Sequence, residues 1–137
     1  SSLSRPLCAL VAARLGCNDE ALHHLYVSAR IDLDNINSDT GLGVHLAGYA
    51  MQWLAVVRGF GGVTLHRDFV HIEPNLPRRW KELKFTFFWQ WQRIEVCISG
   101  NTLAVGIGND VDTPVPLKIL ENRLFTCEHG KEYAFQY

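Results

Sequence analysis

Ser38-Asp39-Thr40-Gly41-Leu42-Gly43-Val44-His45 leads into Leu46-Ala47-Gly48-Tyr49-Ala50-Met51-Gln52-Trp53-Leu54-Ala55-Val56-Val57, which ends on Arg58-Gly59-Phe60-Gly61-Gly62. A polar, glycine-bearing loop enters a helix that carries no formal charge between His45 and Arg58, reading histidine as neutral. A helix apolar all round is expected to be buried on every side. It is shorter than the roughly 20 residues a bilayer span needs, so it reads as an interior helix of a larger body. Its first backbone N–H groups have no partner within the helix, which suits that end to an anion. The glycines at 59, 61 and 62 stop it.

Upstream the pattern is also helical. Ser4 is expected to cap a helix with Pro6 in its first turn and Leu7, Leu10, Val11 and Leu15 on its apolar face, ending at Gly16. Asn18 is expected to cap a second, with Asp19 and Glu20 in the first turn and Leu22, Leu25, Tyr26, Ala29 and Ile31 as its apolar face. The segment from Asp34 to Thr40 is rich in short polar side chains that compete with helix.

After Gly62 the period becomes two. Val63/Leu65, Val70/Ile72, Leu83 to Trp89, Ile94 to Ile98, Leu103 to Ile107, Leu117/Ile119, Leu124/Phe125 and Tyr133/Phe135 read as about eight short strands. Ser99-Gly100-Asn101 and Gly108-Asn109-Asp110 supply turns. The expected class is α+β: three helices, then an antiparallel sandwich or jelly roll. Three helices cannot enclose an all-round apolar one. With a start at Ser1 rather than a methionine, the chain is expected to be a piece of a longer protein whose missing packing partners lie upstream.

Composition narrows the function. The 137 residues are 47% hydrophobic and 20% charged, the proportions of a globular chain. A net charge of −1 gives no bulk attraction to nucleic acid or an anionic membrane. No stretch reads as a signal peptide or a membrane span. Cys8, Cys17, Cys97 and Cys127 form no C-x-x-C pair, so they read as buried free thiols in a reducing cytoplasm rather than a zinc site.

At these residues the chain resembles the carboxy-terminal end of family 65 of the glycoside hydrolases and phosphorylases, the maltose, kojibiose and trehalose phosphorylase group. Ser1-Ser2-Leu3-Ser4 resembles its serine-rich turn before a late barrel helix. Ala29-Arg30-Ile31-Asp32-Leu33-Asp34-Asn35 resembles its Arg-x-Asp-Leu-Asp segment, and Thr40, Gly43 and His45 match its Thr-x-x-Gly-x-His pattern. Trp53 and Gly59-Phe60-Gly61-Gly62 resemble the end of the last barrel helix. Pro74-Asn75-Leu76-Pro77, Trp80, Leu83 and Phe85 resemble the start of its terminal β-domain. Leu42 departs from the pattern, which usually has an acidic residue before the glycine, and Met51 stands where a small residue is common.

The resemblance implies an (α/α)6 barrel whose last helices are residues 1–61, and a β-sandwich domain over 62–137. It implies inverting phosphorolysis of an α-linked glucoside to β-glucose 1-phosphate, with no cofactor and inorganic phosphate as co-substrate. It also implies a general-acid glutamate upstream of this chain, a cytoplasmic homodimer, and no nucleic-acid or membrane partner. The alternatives are a trehalase-like family 65 hydrolase and a non-catalytic carbohydrate-binding or scaffolding β-module.

Inverting phosphorolysis needs a phosphate opposite the leaving group. His45, with Gly43, Thr40, Ser1 and Ser2, is the expected phosphate-binding set. Against it stand a core histidine bonded to a backbone carbonyl, Thr40 as a plain cap, and a frayed terminus at the serines. Asp32, Asp34 and Asp39 could supply a hydrolase's second carboxylate, but are expected to cap the loop and face solvent. Phe85, Phe87, Trp89 and Trp91 read as one strand face, either sandwich core and barrel interface or a sugar-stacking stripe. Arg78-Arg79-Trp80-Lys81 reads as a solvated turn beside a packed tryptophan, and His23 and His24 face different helix sides, cannot easily serve one metal together and are assigned no role.

Overall fold

A computed structural model describes residues 2–121 and 123–137. The chain forms two compact units, one ending at Phe60 and one beginning at Gly61.

The first unit holds α1 (Ser4–Arg14), α2 (Asn18–Ala29), a 3-10 turn (Thr40–Leu42) and α3 (Leu46–Leu54), which continues as a π-helical turn (Ala55–Phe60). Both expected caps are displaced. Leu3 and Cys17 hold the N-cap positions, without side-chain cap bonds, so Ser4 and Asn18 are each the first residue of their helix.

The expected face of α1 is also wrong. Ala9, Ala12 and Ala13 are buried, whereas Leu7, Val11 and Leu15 are exposed. The cause is a close backbone approach. A Cβ built on Gly59 would lie 3.2 Å from the Ala13 Cβ and 3.2 Å from the Leu10 Cα. Only small side chains fit where the π turn meets α1, so the leucines face outward. The π turn shifts the helical hydrogen-bond ladder by one residue. Arg14 Nε donates to the Arg58 carbonyl at 2.7 Å. Gln52 Nε2 ties α3 to α2 by donating to the Ser28 carbonyl at 2.8 Å.

The all-round burial expected of the central helix is confined to its end. Ala55, Val57, Gly59 and Phe60 are buried, but Leu46 and Trp53 are exposed and Gly48 is the buried residue of α3. Two neighbouring helices cover one side of α3, not all of it.

The second unit holds β1 (Val63–Leu65), β2 (Val70–Ile72), β3 (Glu82–Trp89), β4 (Gln92–Ser99), β5 (Thr102–Ile107), β6 (Val115–Ile119), β7 (Leu124–Cys127) and β8 (Glu132–Gln136). They form two four-stranded sheets, ordered β1-β2-β6-β7 and β3-β4-β5-β8. Ile72, Ile94, Ile98, Leu103, Val105 and Leu117 are fully buried, on one parity of β2, β4, β5 and β6, as a sandwich core requires. One pairing departs from the antiparallel expectation: β2 and β6 run parallel, Val70 opposite Leu117. They are not hairpin neighbours, so no turn sets their relative direction.

Trp91 is not on the strand face assigned to it. Trp89 pairs with Gln92, leaving Gln90 and Trp91 as a two-residue turn with φ of 50° and 68°. Phe87 and Trp89 are buried as core, and Trp89 Nε1 donates to the His66 carbonyl at 3.0 Å. Trp91 is 86% exposed. The cysteines also differ from expectation: Cys8 and Cys17 are exposed, Cys97 is half-buried and Cys127 alone is buried. Burial pushes the Cys127 thiol up to about 11.

Gln92 is a buried polar side chain with both ends used. Its Nε2 donates to the Gly108 carbonyl, and its Oε1 accepts from Val111 N at 3.1 Å. Gln92→Leu roughly keeps the volume, removes the acceptor of the Val111 N–H and leaves the Gly108 carbonyl with Gly130 N, at 3.1 Å, as its remaining donor. The expected loss is about 1–3 kcal/mol, read as a lower denaturation midpoint with an unchanged m-value.

Candidate functional site

The site forms where the loop after α2 folds back on the start of α3. The loop turns through left-handed Asn35 and Ser38 (φ 48° and 58°), and Asn35 Oδ1 accepts from Thr40 N at 3.1 Å. This brings Asp32, 13 residues back in sequence, against His45, the N-cap residue of α3.

Asp32 is 9% exposed. Its Oδ2 accepts the His45 backbone N–H at 2.9 Å and its Oδ1 accepts from His45 Nδ1 at 2.6 Å. These two bonds fix both the backbone and the ring of His45. The His45 Nε2 lies 3.4 Å from Asp39 Oδ2. The Tyr49 phenol, one turn into α3, also lies near enough to interact with the Asp32 carboxylate.

The electrostatics follow from this contact set. The His45 backbone N–H and ring hold the Asp32 carboxyl below the usual carboxylate range. Hydrogen bonding to Asp32 raises the His45 imidazole, partly opposed by burial and helped by Asp39. The Asp32 carboxylate also raises the Tyr49 phenol. Asp32 therefore adds stability above its ordinary 3.8, lost as pH falls through its lowered folded value. His45 adds stability below its ordinary 6.5, lost as pH rises through its raised folded value. The Tm of the helical unit is expected to be flat between those ordinary values and to fall on both sides. Asp32→Asn is expected to flatten both limbs, and a Tm–pH curve unchanged in that variant would contradict the assignment.

The sequence-derived set is partly assembled. Ser2 is half-buried beside the first turn of α3. A Cβ built on Gly48 would lie 3.4 Å from the Ser2 carbonyl oxygen and 3.6 Å from the His45 Cβ. Gly43 takes φ 126° and is exposed, with nothing among the described residues within 4 Å of a built Cβ. Thr40 opens the 3-10 turn, its hydroxyl 3.4 Å from the Asp32 carbonyl as donor. Ser1 lies outside the described residues.

Asp34 matches its expectation: it is exposed and pairs with Arg30 at 2.6 Å. Asp32 does not, being buried on His45 rather than a solvated cap. Among the described residues the His45 ring bonds no backbone carbonyl; both ring nitrogens face carboxylates. Among the described residues no group of three or more His, Cys, Asp or Glu could hold a metal ion, and no helix is long and apolar enough to cross a membrane.

Two models of one family match this chain. The glycosyl hydrolase family 65 central catalytic domain matches residues 1–54, which contain the whole site, and the family's C-terminal domain matches 63–124. The chain belongs to glycosyl hydrolase family 65. It is 38% identical over 96 residues to an alpha,alpha-trehalose phosphorylase of Thermoanaerobacter brockii, covering 70% of this chain and 12% of that protein. It is 30% identical over 119 residues to a kojibiose phosphorylase of Escherichia coli strain K12, covering 87% and 15%. It is 37% identical over 98 residues to a maltose phosphorylase of Bacillus subtilis strain 168, covering 72% and 13%. A solved structure titled as a putative kojibiose phosphorylase from human microbiome superposes on all of this chain and 18% of its own, with a TM-score of 0.84 at 20% identity, a likeness of fold. The chain thus spans less than a fifth of the length of these proteins.

Proposed function

We propose that the chain is the carboxy-terminal part of an inverting disaccharide phosphorylase, which cleaves an α-glucoside with inorganic phosphate to give β-glucose 1-phosphate. On this reading the first unit supplies the last helices of an (α/α)6 barrel, and the β-sandwich is the terminal domain. The whole enzyme is a cytoplasmic homodimer without a cofactor. His45, Gly43, Thr40, Ser1 and Ser2 hold the phosphate, and the general-acid glutamate comes from outside these residues.

One observation carries the reading: a histidine at a helix amino end, its ring fixed through Nδ1 so that Nε2 faces away from its anchor. Its side chain makes no cap bond to the first-turn amides. A helix start with a fixed imidazole is a device for an anion. An exposed glycine at position 43 lets a ligand approach the backbone. A phosphate held there serves as the nucleophile that inversion requires.

The test is cleavage of trehalose, kojibiose and maltose by a polypeptide carrying this chain within a complete family 65 catalytic domain. The expected result is turnover that requires phosphate and yields β-glucose 1-phosphate. Two molecules of free glucose, released at the same rate without phosphate, would favour the hydrolase instead. The 137-residue chain alone is expected to turn over none of the three.

A further inference from the structure

We propose that two carboxylates act on His45 in opposition: Asp32 is a positioning residue that fixes the ring with Nε2 presented, and Asp39 occupies Nε2 as an internal competitor that incoming phosphate displaces. The proposal rests on the reading of His45 as a phosphate ligand.

The two contacts are unequal in kind. Asp32 uses both oxygens on His45, at 2.6 and 2.9 Å, and its side chain is 6% exposed. Such short charge-assisted bonds are strong. With Nδ1 committed, a ligand can reach the ring only through Nε2.

Asp39 holds that nitrogen poorly. Its Oδ2 stands 3.4 Å from Nε2, long for a hydrogen bond to an ionised group. Its Oδ1 is buried and meets no hydrogen-bond partner among the described residues. A buried, unsatisfied carboxylate oxygen is costly, so moving Asp39 outward removes a penalty. Its side chain is 39% exposed, so solvent lies within reach of a rotamer change.

An anion on Nε2 meets the Asp39 carboxylate at the same place. Two like charges cannot share one donor at close range without a large cost. Phosphate binding and the Asp39 contact therefore exclude each other, while the Asp32 contact persists. Among the described residues, Asp32 and Asp39 are the charged groups that face the His45 ring, and Tyr49 faces Asp32. Asp32 also keeps the imidazole cationic to a higher pH, extending the range in which Nε2 carries a proton for phosphate.

The experiment measures the phosphate KM of Asp32→Asn and Asp39→Ala in the full-length enzyme, from pH 5.5 to 8.5, with Tm recorded for each. Asp32→Asn is expected to raise the phosphate KM roughly tenfold and to move the alkaline limb of phosphate binding to lower pH. A merely structural role would lower Tm without moving that limb. Asp39→Ala is expected to lower the phosphate KM about threefold or more at neutral pH. An unchanged or raised phosphate KM in Asp39→Ala, or an unmoved limb in Asp32→Asn, overturns the proposal. His45→Ala, measured beside them, separates the two levels. If it too leaves the phosphate KM unchanged, the phosphate reading of His45 has failed. If it raises the KM and the carboxylate variants do not behave as stated, only the opposition of Asp32 and Asp39 has failed.

Discussion

His45→Ala in the full-length enzyme is expected to raise the KM for phosphate by roughly tenfold to a hundredfold, the worth of one charge-assisted hydrogen bond to an anion. The same factor is expected in the KM for glucose 1-phosphate in the reverse direction, because its phosphate would occupy the same nitrogen. Removing the imidazole also leaves Asp32, a buried carboxylate, without its ring partner. A lower Tm is therefore expected together with the kinetic defect, and a lower Tm by itself does not establish the role. The separation comes from the substrates. A lowered Tm with an unchanged phosphate KM would make His45 an anchor for Asp32 and nothing more. Thr40→Val refines the test, since it removes a hydroxyl with little change in volume. In the structure that hydroxyl faces the Asp32 carbonyl at 3.4 Å. A phosphate defect in Thr40→Val at unchanged Tm would mean that the hydroxyl serves the ligand.

Gly62→Ala is expected to destroy the cooperative unfolding of the β-unit. Gly62 takes φ 68°, and a Cβ there would sit 1.7 Å from the Glu73 carbonyl oxygen and 2.2 Å from its carbonyl carbon. Both are backbone atoms. They are held in place because Glu73 N donates to the Gly62 carbonyl at 3.1 Å, one residue beyond the pairing of Val63 with Ile72. No side chain can rotate to relieve the overlap, so β1 must part from β2. The expected loss is more than about 4 kcal/mol. Gly100→Ala is the internal control. Gly100 has a similar φ of 55°, but nothing lies within 4 Å of its built Cβ. It is expected to cost only about 1 kcal/mol, the left-handed backbone penalty alone. Equal and small losses for the two variants, measured by chemical denaturation, would show that the β1–β2 approach is looser than described.

The β-unit was readable in the sequence because a two-residue period with turn signals admits one interpretation of which side faces in. Ile94, Val96 and Ile98 alternate with polar residues, and the buried parity is theirs. The reading failed at Trp91, where one hairpin turn takes a residue off the strand and so out of the alternation. The parallel β2–β6 pair was also out of reach, since nothing local links those strands.

Helix faces were less readable. In α1 both the leucines and the alanines recur at helical spacing, and hydrophobicity favours the leucines. What decides the face is Gly59, some 45 residues away in sequence, whose backbone comes close enough to admit only Ala-sized neighbours. The position of His45 and Gly43 at a helix start was legible. Asp32 was not. A carboxylate in a polar loop reads as a solvated cap, and its burial arises from a loop closure that depends on left-handed Asn35 and Ser38. The spacing of 13 residues between Asp32 and His45 matches neither helical nor strand periodicity, so local patterning carries no sign of the pair.

Phosphate held at the start of α3 through His45 is visible directly in a liganded structure. The most direct measurement is a crystal structure of the full-length enzyme with phosphate bound. The expected structure has a phosphate oxygen about 2.7–2.9 Å from His45 Nε2, Asp32 still bonded to Nδ1, and Asp39 withdrawn from the ring. A phosphate bound elsewhere in the active site, with Asp39 still against Nε2, would contradict it.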